Sequence, residues 1–401
     1  MTRVTLVTLN YAPEPTGIAP YSTGAAQGLA AQGDEVLAIT GYPHYPQWRI
    51  LDGYTGLTRR EQSEGVRLLR LRHPVPRAGG LITRAAMEIV FGLRAVLSRS
   101  AGPDVVIAVS PALLSSALVV LRARLTRTPV IVWVQDIYTL GAAQTGAAGL
   151  AARALRLLES WTTRKADRVI VIHDRFKRFL ERELAVPSER IDVVRNWTHV
   201  KPATGRSSET RHQLGWQDDE TIVLHAGAMG SKQNLENVVL ASRLAAEQHS
   251  KVRFVLLGDG HRRPALEAMG GNPNLQFVDP LPDGVFESAL ASADVLLVNE
   301  LPGMTEMSVP SKLTSYFSTG LPVLAAVDAT SVTAEEIAAS GGGLRVPPSD
   351  PAALLEGALQ LAGDAALAQT LGQRGLEYRQ TVLMVDTAIA GITRSIENAR
   401  G

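Results

Sequence analysis

The sequence predicts an α/β protein made of two doubly wound, Rossmann-like domains. Three observations carry that expectation. The 401 residues exceed one ordinary domain of about 150. Short runs rich in Val, Ile and Leu alternate with longer helical patterns, as βαβ units and parallel sheets require. The alternation lapses over the polar stretch Asn196–Asp219, which contains Pro202 and Gly205, and starts afresh at Thr221. That stretch reads as a linker.

In the first half, apolar runs bounded by turn residues predict strands over Arg3–Leu9, Glu35–Thr40, Val66–Leu71, Val105–Val109, Val130–Val134 and Val169–Ile172. Helices are expected near Ala19–Ala31, Gly80–Ser98, Leu113–Leu125, Leu150–Lys165 and Asp174–Leu184. The second half repeats the pattern with strands over Thr221–His225, Arg253–Leu257, Leu275–Phe277, Val295–Asn299, Pro322–Ala326 and Leu344–Val346. Asp364–Ala399 reads as two helices with no strand after them. The expected organisation is therefore a domain over 1–200, a second over 201–380, and a C-terminal helix over 381–401 that packs back across the domain interface.

Composition narrows the function. With no cysteine, thiolate catalysis, Cys-based zinc sites and iron–sulfur clusters are excluded. A hydrophobic fraction of 45% and a charged fraction of 20% are those of a globular protein. No run reaches about 18 uncharged apolar residues, so no spanning segment is expected. Met1–Leu9 reads as a buried strand rather than a signal peptide, which makes the cytoplasm the default expectation. The net charge of +1 hides an asymmetry: residues 1–200 hold 25 Lys and Arg against 16 Asp and Glu, and the remainder 15 against 23. No basic run is interleaved with stacking aromatics, so no nucleic-acid partner is expected. Over Arg77–Arg99, four arginines surround an apolar set from Leu81 to Leu97. An interfacial membrane helix has that pattern, although a sheet-covering helix with a solvated Arg face is the preferred reading.

In open α/β sheets ligands bind beyond the carboxyl ends of strands, so the loops there hold the candidate chemistry. The first is Asn10-Tyr11-Ala12-Pro13-Glu14-Pro15-Thr16-Gly17-Ile18, where Gly17 lets a ligand approach helix-entrance amides. The second, Ala226–Glu236, combines Gly227 and Gly230 with Lys232, one of only six lysines, and suits a diphosphate. It is neither GxGxxG nor GxxxxGK[ST], which weakens dinucleotide and ATP readings. The third, Gly258-Asp259-Gly260, is a tight turn or a lining of the site. The fourth runs from Asn299 to Tyr316, with Pro310 opening a helix and Ser308 as its cap, so that the amides of Val309–Lys312 face a ligand.

The opening loop, the Lys232 loop, and Pro310-Ser311-Lys312-Leu313 with Gly320-Leu321-Pro322-Val323 resemble retaining nucleotide-sugar glycosyltransferases of the GT-B fold, family 4. Gly41-Tyr42-Pro43-His44-Tyr45-Pro46-Gln47-Trp48 brings the resemblance nearest to the colanic-acid-type exopolysaccharide branch. It implies two Rossmann-like domains facing an interdomain cleft, with the acceptor in the N-terminal domain and a GDP- or UDP-linked sugar donor in the C-terminal one. Gly227 and Lys232 would then bind the diphosphate, Ser311 and Lys312 phosphate or sugar hydroxyls, and Gly17 the transferring group. In relatives two glutamates stand eight positions apart, the second holding the ribose. Met307 and Ser315 occupy those positions here, and Glu306 is the nearest substitute, with Ser308 and Ser315 completing the donor set.

The implied mechanism is front-face attack with retention, the leaving diphosphate taking the acceptor proton, with no cofactor and no metal. Lys232 and Lys312 would stabilise the developing charge, and Asp136 would serve as base or hydroxyl ligand. Thr16, His44, Asp136 and His173 are the acceptor candidates, with Tyr42, Tyr45 and Trp48 as a sugar-stacking surface around His44. Asp174 is also read as a helix cap, and His44 as a packed residue. Glu14, Arg195 and Asn196 are lesser candidates. The expected acceptor is a glycan, a lipid-linked glycan or a small molecule, with peripheral contact at the inner membrane face through the basic domain. Competing readings are a nucleotide-sugar epimerase, a phosphorylase with pyridoxal phosphate on Lys232 or Lys312, and a noncatalytic sugar-binding module.

Overall fold

The computed structural model describes the 401 residues apart from 16, 77–80, 99–101, 140–148, 198–204, 283 and 304–310, and apart from the side chains of 81 and 311. The chain divides into two compact units, Met1–Trp197 with Val385–Gly401, and Thr198–Met384.

The first unit holds eight strands: β1 (Arg3–Thr8), β2 (Glu35–Gly41), β3 (Thr58–Ser63), β4 (Val66–Leu71), β5 (Val105–Ser110), β6 (Val130–Val134), β7 (Arg168–Val171) and β8 (Ile191–Val193). They form one sheet in the order β3-β4-β2-β1-β5-β6-β7-β8. Helices cover both faces of this mostly parallel sheet, so its central strands read as continuous apolar runs. β6, Val-Ile-Val-Trp-Val, is buried throughout. Two strands escape a search for apolar runs. β3, Thr-Arg-Arg-Glu-Gln-Ser, is an edge strand antiparallel to β4, and its charged side chains protect an open edge. β8 has only three residues.

The C-terminal helix Val385–Arg400 belongs to this unit. It lies against the helix Ala19–Ala31 and places Ala388, Ile389, Ile392 and Ile396 in the core with Leu6, Ile107 and Trp133. Gly28 makes the approach close, since a Cβ there would lie 2.6 Å from Cγ1 of Ile389.

Three further helices of the unit pack in succession: Leu81–Leu97, Leu113–Thr126 and Leu150–Lys165. The first buries Met87, Phe91 and Ala95, as a sheet-covering helix does, yet leaves Ile82 86% and Leu97 78% exposed. The sheet-covering reading of this segment therefore holds, and the outer face keeps apolar side chains exposed.

The second unit has six parallel strands: β9 (Thr221–Ala226), β10 (Val252–Leu257), β11 (Leu275–Val278), β12 (Val295–Asn299), β13 (Val323–Ala326) and β14 (Gly343–Val346). Their order is β11-β10-β9-β12-β13-β14. The expected linker is shorter than its polarity suggested. Ser207 caps a helix over Ser208–Gln213, and Arg211 is 1% exposed, donating to the carbonyls of Ser292, Gln217 and Glu220. A buried arginine with carbonyl partners is structural, and its polarity hid this segment from a search for apolar periodicity.

Each sheet reverses its strand order once, between β1 and β5 and between β9 and β12. Ligand crevices of doubly wound sheets open at such points. In the second unit the reversal brings the loop after β9 beside the segment after β12.

Candidate active site

In the second unit, β9 carries His225 and Ala226 into Gly227, whose φ of +125° is strained for any residue with a side chain. The loop is held from two sides. The Gly227 amide donates to Leu257 O at 2.8 Å, and that of Met229 to Asp259 O at 2.9 Å. From β12, Asn299 Nδ2 donates to the carbonyls of Gln233 and Asn234 at 2.8 and 2.9 Å, and the Leu301 amide to Lys232 O at 2.9 Å. Gly258-Asp259-Gly260 is thus the support of this loop.

Lys312 lies in the helix Ser311–Phe317, and its Nζ is 2.9 Å from Nε2 of His225. A Cβ on Gly227 would touch Lys312 Cε at 3.0 Å and Nζ at 3.4 Å, so the amine lies against the glycine backbone. Burial lowers the Lys312 pKa to about 7 against the opposing charge of Glu300. Burial, and then the Lys312 charge, hold His225 well below the ordinary imidazole value, so its ring is neutral. One turn on, Tyr316 accepts the Ala226 amide at 2.9 Å and locks helix to strand. Lys232 is exposed in the turn Ser231–Gln233, and Ser315 is half-buried one turn from Lys312. Glu306 and Ser308 lie outside the described residues, as does the side chain of Ser311.

In the first unit, Glu14 is 4% exposed and organises the loops after β1 and β2. It accepts the amides of His44 and Tyr45 at 2.7 and 2.9 Å and Nδ2 of Asn10 at 2.8 Å. Burial raises its pKa against those hydrogen bonds. His44 is 1% exposed, with Nδ1 3.0 Å from Tyr42 O and its ring edge-on to His73 at 4.7 Å. Burial lowers both pKa values, that of His73 to about 4. Beyond them Trp48, Arg49, Arg72, His73 and Val90 help to line a cavity of about 470 Å³. Gly17, at φ +68°, packs near the Tyr45 ring, and Thr16 lies outside the described residues. Asp136 is exposed after β6.

A family model described as a glycosyl transferase 4-like domain matches residues 16–197, and one for glycosyl transferases group 1 matches 220–364. The chain is 30% identical over 332 residues, 78% of its length and 80% of the relative's, to a protein described as a colanic acid biosynthesis glycosyl transferase, WcaI, of Escherichia coli (strain K12). The chain belongs to the family 4, group 1 glycosyltransferases. An alpha-D-kanosaminyltransferase of Streptomyces kanamyceticus is 28% identical over 122 residues, 29% of this chain and 31% of that one. Sucrose-phosphate synthase from Thermosynechococcus elongatus superposes with a TM-score of 0.71 at 20% identity, covering 98% of both chains. Anabaena HepE in complex with UDP and glucose does so at 0.69 and 13%, covering 99% of this chain and all of that one. The fold of this glycosyltransferase is GT-B.

Two details of the glycosyltransferase correct the sequence reading. His173 rather than Asp174 caps the helix Asp174–Leu184, its Nδ1 accepting the Arg175 amide at 3.0 Å. Asp174 instead pairs with Arg195 at 2.9 Å. Three functional-looking groups were missed. His225 ended an apolar strand and gave no signal of its own. Glu88 accepts the Leu114 amide at 2.9 Å and the Tyr138 hydroxyl at 3.1 Å, with its pKa raised by burial to about 7. Glu159 accepts the amides of Tyr138 and Thr139 at 2.7 and 2.9 Å. Each is the lone acid in an otherwise basic helix, which was the available sign.

Proposed function

We propose that the glycosyltransferase is a retaining enzyme moving a sugar from a GDP- or UDP-linked donor to a glycan or lipid-linked acceptor in polysaccharide assembly. The observation that carries this reading is the β9–β12 reversal in the second unit. There a glycine backbone, the Lys312 amine and the Lys232 turn surround one strand end, which is chemistry suited to a diphosphate.

Lys312 and Lys232 would offset the charge that grows on the leaving diphosphate, with Gly227 allowing close approach and Ser311 and Ser315 binding phosphate or sugar hydroxyls. Glu306 and Ser308 are assigned to the same donor set. The leaving phosphate takes the acceptor proton, so the reading needs no protein nucleophile and no metal. In the first unit the acceptor is assigned to the cavity beside Trp48 and to the surroundings of Gly17 and Asp136, with Thr16 as a further candidate. Glu14, His44 and His173 shape those loops through the hydrogen bonds given above. The exposed apolar residues of the three successive helices, ringed by arginine, support peripheral contact with an anionic membrane.

The test is thermal unfolding with UDP, GDP, ADP and dTDP, each with Mg²⁺ and with EDTA. A ligand at about 100 times its dissociation constant adds about 2.7 kcal/mol to the state it binds. One nucleotide is expected to raise the melting temperature equally in both conditions. If none does, the donor assignment fails, and a noncatalytic module becomes the better reading.

A further inference from the structure

Lys312 is a largely buried amine whose polar neighbour is a neutral ring. Nε2 of His225 lies 2.9 Å from Nζ, and the Gly227 backbone closes one side. β9 contributes His225, the segment after β12 contributes the carboxylate of Glu300, and the amine's own helix contributes the Tyr316 hydroxyl, engaged with Ala226. The loops bordering the site add Lys232 and His261, the latter with Nε2 3.0 Å from Ser231 Oγ. Glu300 receives the Thr333 hydroxyl, which draws on its charge. An ammonium in this setting is poorly compensated: a neutral imidazole accepts a hydrogen bond but brings no negative charge. A diphosphate in the Gly227 loop would bring that charge.

We infer that donor binding takes up a proton at Lys312, and that His225 is a positioning residue holding the amine as a neutral acceptor against the Gly227 backbone. The inference rests on the donor assignment above and adds its protonation. The amine lone pair takes a proton from the buffer as the diphosphate binds, so Lys312 enters the complex as an ammonium. Nε2 of His225 accepts one of its hydrogens, which leaves two directed by the ring's fixed position. The lowered pKa of Lys312, about 7, agrees with this geometry. Above that value the free enzyme must be charged on binding, so donor affinity falls as pH rises. Below it Lys312 is already charged and affinity no longer depends on this group.

The experiment is calorimetric titration of the intact chain with UDP, GDP and inorganic pyrophosphate at about pH 8, in Tris and in HEPES, whose ionisation enthalpies differ. The terminal phosphates of UDP and GDP are already ionised there, their last pKa being about 6, so proton uptake is read from the nucleotides, while inorganic pyrophosphate, which keeps a proton at that pH, serves as a probe of binding alone. More than about half a proton should be taken up per nucleotide bound, since a group of pKa about 7 is mostly neutral at that pH. Lys312→Arg, permanently charged, should bind with no uptake and with affinity level from about pH 7.5 to 9. His225→Phe should move the pH at which affinity begins to fall downwards, whereas a purely structural role would weaken binding equally at every pH. The wild-type measurement stands even if the buried substitution does not fold. Binding without uptake, or uptake undiminished in Lys312→Arg, overturns the inference alone. No binding by any of the three overturns the donor assignment and this inference with it.

Discussion

At Gly258 the backbone turns at φ +132°, and a Cβ placed there would lie 2.1 Å from the Gly227 carbonyl oxygen. Gly260 stands in the same relation to Met229, at 2.4 Å from its carbonyl oxygen. The two glycines let the turn after β10 sit directly beneath the loop after β9, so the loop proposed to take the donor is shaped by the strand next to its own. Gly258→Ala should therefore cost roughly 3 kcal/mol, combining backbone strain with overpacking, and should also weaken nucleotide binding. Gly271→Ala is the control, since a Cβ there meets nothing within 4 Å. Urea unfolding of both variants decides the matter: equal midpoints would show that the Gly258 contact carries no constraint.

The helices of the first unit illustrate how one element serves two surfaces. Leu81–Leu97 fills the core with Phe91 and sends Glu88 inward to the Leu114 amide in the first turn of Leu113–Thr126. The two helices that follow also expose leucines, so that Leu93 and Leu97, Leu121 and Leu125, and Leu150 and Leu157 all face solvent. Among the described residues of these three helices, both acids are buried, so the solvent-facing charges are Arg84, Arg94, Arg122, Arg124, Arg153, Arg156, Arg164 and Lys165. Apolar side chains ringed by cations suit an anionic lipid surface, at about 1 kcal/mol per basic residue near it. Replacing Ile82, Leu93 and Leu97 with Gln should lower cosedimentation with phosphatidylglycerol vesicles by at least about tenfold, with thermal stability nearly unchanged. Equal pelleting of variant and parent, or of parent with neutral and anionic vesicles, would remove the membrane assignment.

For the molecule as a whole, the chain leaves the first unit at Trp197, builds the second, and returns with Val385–Arg400. The returning helix supplies Ala388, Ile389, Ile392 and Ile396 to the first core. Each buried isoleucine is worth about 1.5–3 kcal/mol, and the sum approaches the 5–15 kcal/mol by which a typical domain is stable. A chain ending at Met384 should lose the cooperative melting of the first unit while the second still melts and still responds to nucleotide. Scanning calorimetry with and without the selected nucleotide reads both. Intact first-unit melting in the shortened chain would show the helix to be dispensable.

Read alone, the sequence determined the fold class, most strand and helix positions, the family, and the loops around Gly227, Lys232 and Lys312. These are local matters: an apolar run buried on both faces, or glycines at a helix entrance, leave their mark within a few residues. Tertiary structure alone decided the rest. β3 has no apolar pattern because it lies at an edge, and it becomes a strand only through pairing with β4. Arg211 and Glu159 look like surface charges until their backbone partners, distant in sequence, are brought to them. His225 and Lys312 lie 87 positions apart, and the burial that lowers the amine's pKa exists only where β9 and the helix Ser311–Phe317 meet. Burial and its compensation are properties of assembled neighbours, and no stretch of sequence holds them by itself.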